Sequence, residues 1–427
     1  MEILKTMQSL STIALISVHS DPANETGTQN VYVRQVGEAL SRLGWQVDMF
    51  TRKTSPHQAE IVQHNPHCRT IRLTAGTEQF VHRQKLIGYL PEFLQQLQQF
   101  QQDNNIRYRL VHTNYWLSAW VGMELKKTQT LKHIHTYHSL GAVKYAYEQD
   151  LPNIGKTRLA IENACLETAD LSIATCPQQR DYLRELMSRK GNIEIIPCGT
   201  DADLFGSVST TQAKKKLKVE PDIFNILYVG KFNRTSGIET LIKAISKPQL
   251  HSVANIRLTI VDNSYSSNPL LRKRTEKLIW DLGVDNIVTF VEGINRKELA
   301  TYYAAADVCV VPSHYNPSGI VAIESMASGT PVIASNLGGL KYVVQHEETG
   351  LLFPSQNSFL LSRAIFRLAT KPEKRSQLAK AARSRVEDLF TWDSVATQLN
   401  EFYTEQVEQQ NMESLHKSLG YSVRAVV

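Results

Sequence analysis

The sequence predicts an α/β protein of two domains, each a parallel sheet covered by helices. Short apolar runs alternate with helix-length amphipathic stretches, as they do when strands buried on both faces are joined by covering helices. The alternation pauses once, in a polar lysine-bearing stretch, and then starts again. The chain of 427 residues also exceeds what one hydrophobic core sustains, since domains hold roughly 100 to 200 residues. The expected architecture is therefore two Rossmann-like domains facing each other across a cleft.

In the first domain, taken as residues 1–205, strands are expected at Ile13 to Val18, Gln46 to Thr51, Leu110 to His112, Leu171 to Thr175 and Ile193 to Ile196. Between the first two, Val33, Val36, Leu40 and Leu43 fall on one helical face, and Gly44 supplies a C-terminal stop. Pro91 to Asn104 keeps helical spacing through Phe93, Leu94, Leu97 and Phe100 beside a glutamine-rich outer face. Residues 206–222 read as an interdomain linker. The second domain, 223–388, repeats the plan with Asn225 to Val229, Ile256 to Val261, Ile287 to Val291, Val308 to Val311 and Pro331 to Ala334. Residues 389–404 read as a last helix, and 405–427 as a polar, loosely held tail.

Hydrophobic residues make up 42% of the chain and charged ones 21%, ordinary for a globular protein. No run approaches the ~18 apolar residues of a membrane span, so no integral membrane segment is expected. Met1 to Ser11 is polar with Lys5 its only positive charge, which favours a first buried strand over a signal sequence and points to the cytoplasm. The five cysteines are scattered, without a CxxC pair or zinc spacing, and are expected as buried thiols. A net charge of +6 suits anionic ligands, but Lys214 to Lys216 and Arg272 to Arg274 form no stripe, so nucleic acid is not an expected partner.

Ligands of open parallel sheets bind beyond the carboxyl ends of the strands, where four segments stand out. The turn from His19 to Asn30 leads into a helix. Gly27 there either presents backbone N–H groups to an anion or forms a plain turn capped by Thr28 or Asn30. His133 to Lys144 ends a strand. Alternation puts His133 and His135 on one face with His138 beyond it, so the three need not converge on a metal, and none is expected. His138, Ser139 and Lys144 suit a phosphate or hydroxyl-rich ligand, with a hydrogen-bonded structural histidine as the rival reading. The Gly230 to Gly237 loop offers Lys231 and Arg234 to a diphosphate. In Val311 to Pro331, Pro317 leaves the amides of Ser318, Gly319 and Ile320 to cradle a phosphate. Glu324, a turn further on, either takes a ribose diol or is a helix-surface charge.

These segments together resemble the retaining GT-B glycosyltransferases of family four. Val31 to Arg34, Asp48 to Arg52 and His138 to Lys144 are most similar to bacterial sucrose-phosphate synthases, and the likeness runs from about Ile13 to Tyr403. It implies a nucleoside-diphosphate sugar, UDP-glucose or ADP-glucose, in the second domain. It implies a sugar or sugar-phosphate acceptor in the first, fructose 6-phosphate for a sucrose-phosphate synthase. Carried over by position, Glu324 would hold the ribose and Lys231 the diphosphate, with Gly319, Ile320 and Val321 as backbone donors. Gly230, Arg234, Ser236, Asn316 and Ser318 complete the donor side. Gly27, Gln29, Tyr115, Ser139, Lys144 and Arg158 would surround the acceptor, with His138 at the reacting carbon. The resemblance requires no cofactor and no metal, and it makes the segment after Phe390-Thr391-Trp392 a helix crossing back to the first domain.

The family's pattern is altered at five places. Its paired acidic residues appear as Asn316 and Glu324, its usual phenylalanine is Ser318, and its diphosphate lysine is Ser236. Its glycine pair is Gly27-Thr28, and its glycines after Val261 are Asp262-Asn263. Since a departing diphosphate needs cationic or preorganised donors, these changes fall where transfer is most sensitive. The expected function is a hexosyltransferase with His138 and Lys231 as principal catalytic groups. The alternative is a non-catalytic relative that binds a sugar phosphate or a protein partner.

Overall fold

The computed structural model describes residues 11–24, 27–146, 151–252, 255–262 and 268–418. Two compact units form. The first runs to Thr175, resumes over Gln179–Ile196 and takes in the chain from Val395 onward; the second holds Cys176–Gln178 and Pro197–Ser394.

The first unit is an eight-stranded sheet in the order β3-β4-β2-β1-β5-β6-β7-β8. Its strands are β1 (Thr12–Ile16), β2 (Gln46–Arg52), β3 (Ile61–Asn65), β4 (Cys68–Leu73), β5 (Leu110–Asn114), β6 (Lys132–Thr136), β7 (Leu171–Ala174) and β8 (Ile193–Ile195). All neighbours pair in parallel except β3 with β4. β1, β2 and β5 are buried on both faces, which is why they read as apolar runs. β3, the edge strand, and β4 beside it escape that signal: β3 has no buried residue, and in β4 two arginines interrupt the buried positions. Helix Thr28–Arg42 buries Val33, Val36 and Leu40, but Leu43 is its C-cap and stands exposed, because Gly44 at φ 95° turns the chain there.

The second unit is a six-stranded parallel sheet, β11-β10-β9-β12-β13-β14. It consists of β9 (Ile223–Val229), β10 (Asn255–Asp262), β11 (Val288–Glu292), β12 (Val308–Val311), β13 (Val332–Ser335) and β14 (Gly350–Phe353). The stretch 206–222, read from sequence as a linker, is instead part of this unit, which begins at Pro197 rather than after residue 205. Ser209 caps helix Thr210–Lys216, whose Ala213 packs on Ala304 and Ala305 while Lys214 pairs with Asp307 at 2.9 Å. Ala213, with Val208 and Leu217 packing beside it, docks the segment, and so few apolar residues among lysines make too weak a pattern to register in sequence.

The last helix, Trp392–Ser418, also departs from expectation by running on past 404. Val395, Leu399 and Tyr403 are buried. Asn400 accepts from Trp45 Nε1 at 2.7 Å, and Tyr403 OH meets His112 Nδ1. Beyond 404 the anchors are polar: Gln410 Nε2 donates to Thr130 O at 3.1 Å and Arg109 to Asn411 Oδ1 at 2.6 Å. Amide contacts leave no hydrophobic period, so this part reads as a tail; residues 419–427 lie outside the described residues. Among the described residues no helix is long and apolar enough to cross a membrane.

Candidate functional site

In each sheet the chain fills one side of its first strand and then returns to the other. β1 lies between β2 and β5, and β9 between β10 and β12. Loops leaving the two strands at such a switch point diverge and open a crevice beyond their carboxyl ends. The residues singled out from sequence fall at these two places.

In the first unit the β1 loop brings Gly27 and Gln29, the β5 end Asn114 and Tyr115, and the β6 end His138, Ser139 and Lys144. Gly27, at φ 95°, is the N-cap of this helix and brings no side chain of its own to cap it. Gln29 Nε2 donates to Ser17 Oγ at 3.2 Å and to Asn114 O at 3.4 Å, tying the two loops together. His138 Nε2 lies 2.9 Å from Asn114 Oδ1, and its ring meets Tyr32 edge-on at 4.7 Å. With Asn114 Oδ1 as acceptor the proton sits on Nε2 and Nδ1 keeps its lone pair. Burial pushes the His138 pKa down to about 4, so the ring is neutral at neutral pH.

Tyr115 opens helix Tyr115–Thr128 at φ 73°, a conformation costing a non-glycine residue roughly 1–3 kcal/mol. The strained turn brings its ring under Arg158, 5.0 Å from the guanidinium, and its hydroxyl accepts from Arg158 Nη1 at 3.3 Å. Arg158 is only 2% exposed. Its Nε donates to Glu162 Oε1 at 2.7 Å, and Nη2 donates to Ser139 O at 2.8 Å and Ser139 Oγ at 3.1 Å. The other Glu162 oxygen accepts the Gly141 amide at 2.8 Å. The Tyr145 ring faces both Arg158 (6.0 Å) and Lys144 (5.0 Å). Tyr115, Ser139, Lys144 and Arg158 thus gather around one small region.

His19 joins them, its ring 4.5 Å from Tyr115. Burial lowers its pKa to about 3, helped by the charges of Arg83, His138 and Arg158. The sequence pattern offered no sign of Arg83, whose stretch Arg83–Tyr89 is a 3-10 helix without clear periodicity, nor of Asn114 and Glu162, which act through other side chains.

In the second unit, Gly237 (φ 70°) caps helix Ile238–Ile245 and Gly319 (φ 66°) caps helix Ile320–Ala327. A β-carbon at Gly237 would lie 1.9 Å from Pro312 O, and His314 N–H donates to Thr235 O at 2.8 Å. Backbone contacts therefore bind the β9 and β12 loops to each other. Gly230 starts the first loop, Lys231 and Arg234 are exposed on it, and Ser236 turns inward, its hydroxyl donating to Asn233 O at 2.9 Å. Gly339 N–H donates to Asn316 O at 2.9 Å, so a third loop, after β13, closes against this segment.

Two expectations are corrected here. The Gly319 amide is not left for a phosphate: Asn316 Oδ1 accepts it at 2.9 Å, as a short amide side chain three residues earlier is placed to do. Among the backbone donors this leaves Ile320 and Val321, in the first turn where amides lack intrahelical acceptors; Ser318 precedes the cap, partly exposed. Glu324 is no helix-surface charge. It is buried, accepting Tyr303 OH at 3.0 Å on one oxygen and Arg296 Nη2 at 3.0 Å on the other. Burial pushes its carboxyl up, opposed by Arg296 and Tyr303. Each oxygen keeps a further lone pair. Both partners come from helix Arg296–Ala305, remote in sequence and so invisible to motif reading. The Thr28 side chain, Asn263 and Tyr265 lie outside the described residues.

Two parallel α/β units, each with its polar cluster at a switch point, define a glycosyltransferase of the GT-B class. The chain belongs to the group 1 glycosyltransferases: a family model described as "Glycosyl transferases group 1" matches residues 209–385, and a "Glycosyl transferase 4-like domain" matches 27–199. It is 31% identical to a D-inositol 3-phosphate glycosyltransferase of Corynebacterium efficiens, over 92% of this chain and 95% of that one. It is 44% identical to the solved sucrose-phosphate synthase of Thermosynechococcus elongatus, with a TM-score of 0.84 over 93% of this chain and 100% of that one. Anabaena Alr3699/HepE, solved with UDP and glucose, shares the fold at 17% identity and TM-score 0.73, over 92% of this chain and 100% of that one. The protein is a glycosyltransferase.

Proposed function

We propose that the chain is a retaining hexosyltransferase whose acceptor is a polyol bearing a phosphate monoester, held by that phosphate against Arg158, Tyr115, Ser139 and Lys144. The observation that carries this is the buried Arg158, fixed by Glu162 and Ser139 and flanked by Lys144 and a strained Tyr115. Glu162, Tyr115 and Ser139 take four of the five guanidinium N–H groups, which leaves one donor and the positive charge, beside the Lys144 ammonium, for a phosphate oxygen, whereas an unphosphorylated sugar has no use for that charge. The names of the relatives fit: one takes D-inositol 3-phosphate and the other makes a sucrose phosphate. The higher identity to the latter favours a hexose phosphate such as fructose 6-phosphate.

The donor, UDP-glucose or ADP-glucose, is assigned to the second unit. Lys231 and Arg234 neutralise the diphosphate, the first amides of helix Ile320–Ala327 add their dipole, and Glu324 accepts from the ribose. Gly27 and Gln29 border the acceptor, and neutral His138 offers its Nδ1 lone pair to an acceptor hydroxyl. The leaving diphosphate gains negative charge as the sugar departs. Placed cations and amides stabilise that charge, and the new bond forms on the face the leaving group vacates.

The test is product formation from UDP-glucose and ADP-glucose with fructose 6-phosphate, inositol 3-phosphate and unphosphorylated fructose. Transfer to a phosphorylated acceptor and none to fructose is expected; equal use of fructose refutes the phosphate site. The inward-turned Ser236 and Asn316 supply no charge to the donor, which favours a second reading of binding without turnover. Calorimetric acceptor binding with no product from any donor would establish it.

A further inference from the structure

We propose that His133, His135 and Cys165 form a buried site for a thiophilic d10 metal ion, Zn2+ or Cu+, on the helix-covered face of the first sheet. Alternation along β6 puts the two histidines on one face. Parallel pairing sets Thr113 of β5 directly beside His135. Helix Asn153–Thr168 supplies Cys165, which sequence reading missed because it looked for a third histidine in His138. One ligand atom from each of the three lies within 4.8 Å of the other two, and all three residues are fully buried.

Hydrogen bonding shows what the cluster lacks. Thr113 Oγ1 lies 2.7 Å from His133 Nε2 and 2.8 Å from His135 Nδ1, and its own proton points to Ile134 O at 3.4 Å. A hydroxyl has two lone pairs and one proton, so it can accept an N–H from each ring and donate once. That assignment leaves lone pairs on His133 Nδ1 and His135 Nε2, and those two buried atoms have no hydrogen-bond partner among the described residues. Buried polar atoms are almost always paired, and two orphaned ring nitrogens in a cluster that also holds a thiol call for a common partner. A metal-bound histidine characteristically donates its other ring N–H to a neighbouring acceptor, the part Thr113 plays here.

Two imidazoles and a thiolate select borderline or soft ions over magnesium or calcium. With bonds of about 2.0–2.3 Å the ligands would close to roughly 3.5 Å from each other, a side-chain adjustment on fixed backbone. Binding converts Cys–SH and M to Cys–S–M with release of one proton, and a fourth position remains for water on zinc. The ion would pin helix Asn153–Thr168, which also carries Arg158, to β6.

The full-length chain, purified without chelator, should carry close to one zinc or copper per chain by plasma mass spectrometry, the element telling the two apart. After denaturation in chelator, refolding with Co2+ should produce a thiolate-to-cobalt charge-transfer band. Cys165→Ala should lose both ion and band while keeping the circular dichroism of the fold. If the variant does not fold, the cobalt band of the unmodified chain alone decides. A folded wild-type protein holding no stoichiometric ion and taking up none of Zn2+, Cu+ or Co2+ overturns the proposal. So does metal content unchanged in Cys165→Ala.

Discussion

On the proposed assignment of acceptor and donor, the two units would each hold an anion at a sheet's switch point, with different materials. In the first, side chains do it: Arg158, Glu162, Tyr115 and Ser139 form a buried network fixed before any ligand arrives. In the second, backbone does it: glycines at positive φ let loops touch and helices point their first turns outward, while Lys231 and Arg234 lie exposed. A buried network recognises one shape and tolerates little change. A backbone cradle with exposed cations suits a diphosphate whatever sugar is attached, and it leaves its side chains more freedom to vary.

The sharpest break of this comparison is at Arg158. Arg158→Ala leaves the Glu162 carboxylate in the interior without its partner, a loss of about 3–5 kcal/mol for a broken buried pair. Chemical denaturation should register it. Arg158→Lys keeps a charge but loses the fork, so KM for the phosphorylated acceptor should rise at least about tenfold with KM for the nucleotide sugar unchanged. An equal rise in both would mean that the two units do not divide the substrates.

The donor side should break through its backbone first. Gly237→Ala places a β-carbon 1.9 Å from Pro312 O at a φ of 70°, so the β9 loop must move away from the β12 loop. Nucleotide binding measured with UDP should fall by more than for Lys231→Ala, which removes one exposed charge worth about a few kcal/mol at most. Were Lys231→Ala the more damaging, the cradle would depend on side chains after all.

The same contrast explains what the sequence could reveal. β1, β9 and β12 announced themselves because burial on both faces demands continuous apolar residues. The glycine turns at Gly27, Gly237 and Gly319 were visible because conformation alone restricts the residue there. The network around Arg158 was harder. Glu162, Asn114 and Arg83 are ordinary polar residues in sequence, and only three-dimensional approach gives them meaning. Helix Asn153–Thr168 buries Arg158, Glu162 and Cys165 together and so lacks a clean amphipathic stripe. Family likeness pointed to Arg158, Tyr115 and Ser139 but not to Glu162, and it pointed to Glu324 without Arg296 or Tyr303.

The gentlest probe is pH, and it should act on the first unit. His19, His112 and His138 all lie there, with pKa values lowered by burial to about 3, 3 and 4. Unfolded, each returns to about 6.5. Between those values the unfolded chain binds protons that the folded chain does not, so stability is complete above about pH 6.5 and declines as pH falls toward 4 and 3. His112 tests this most cleanly, because both its ring nitrogens are engaged elsewhere, by Tyr403 OH and by Thr136 Oγ1 at 2.7 Å, where it couples the last helix to β5. His112→Gln should lower stability at pH 7.5 by removing those bonds, yet flatten the decline between pH 6.5 and 4. A decline of unchanged steepness would place the acid sensitivity in carboxylates instead, and the contrast in buried chemistry between the units would lose its thermodynamic consequence.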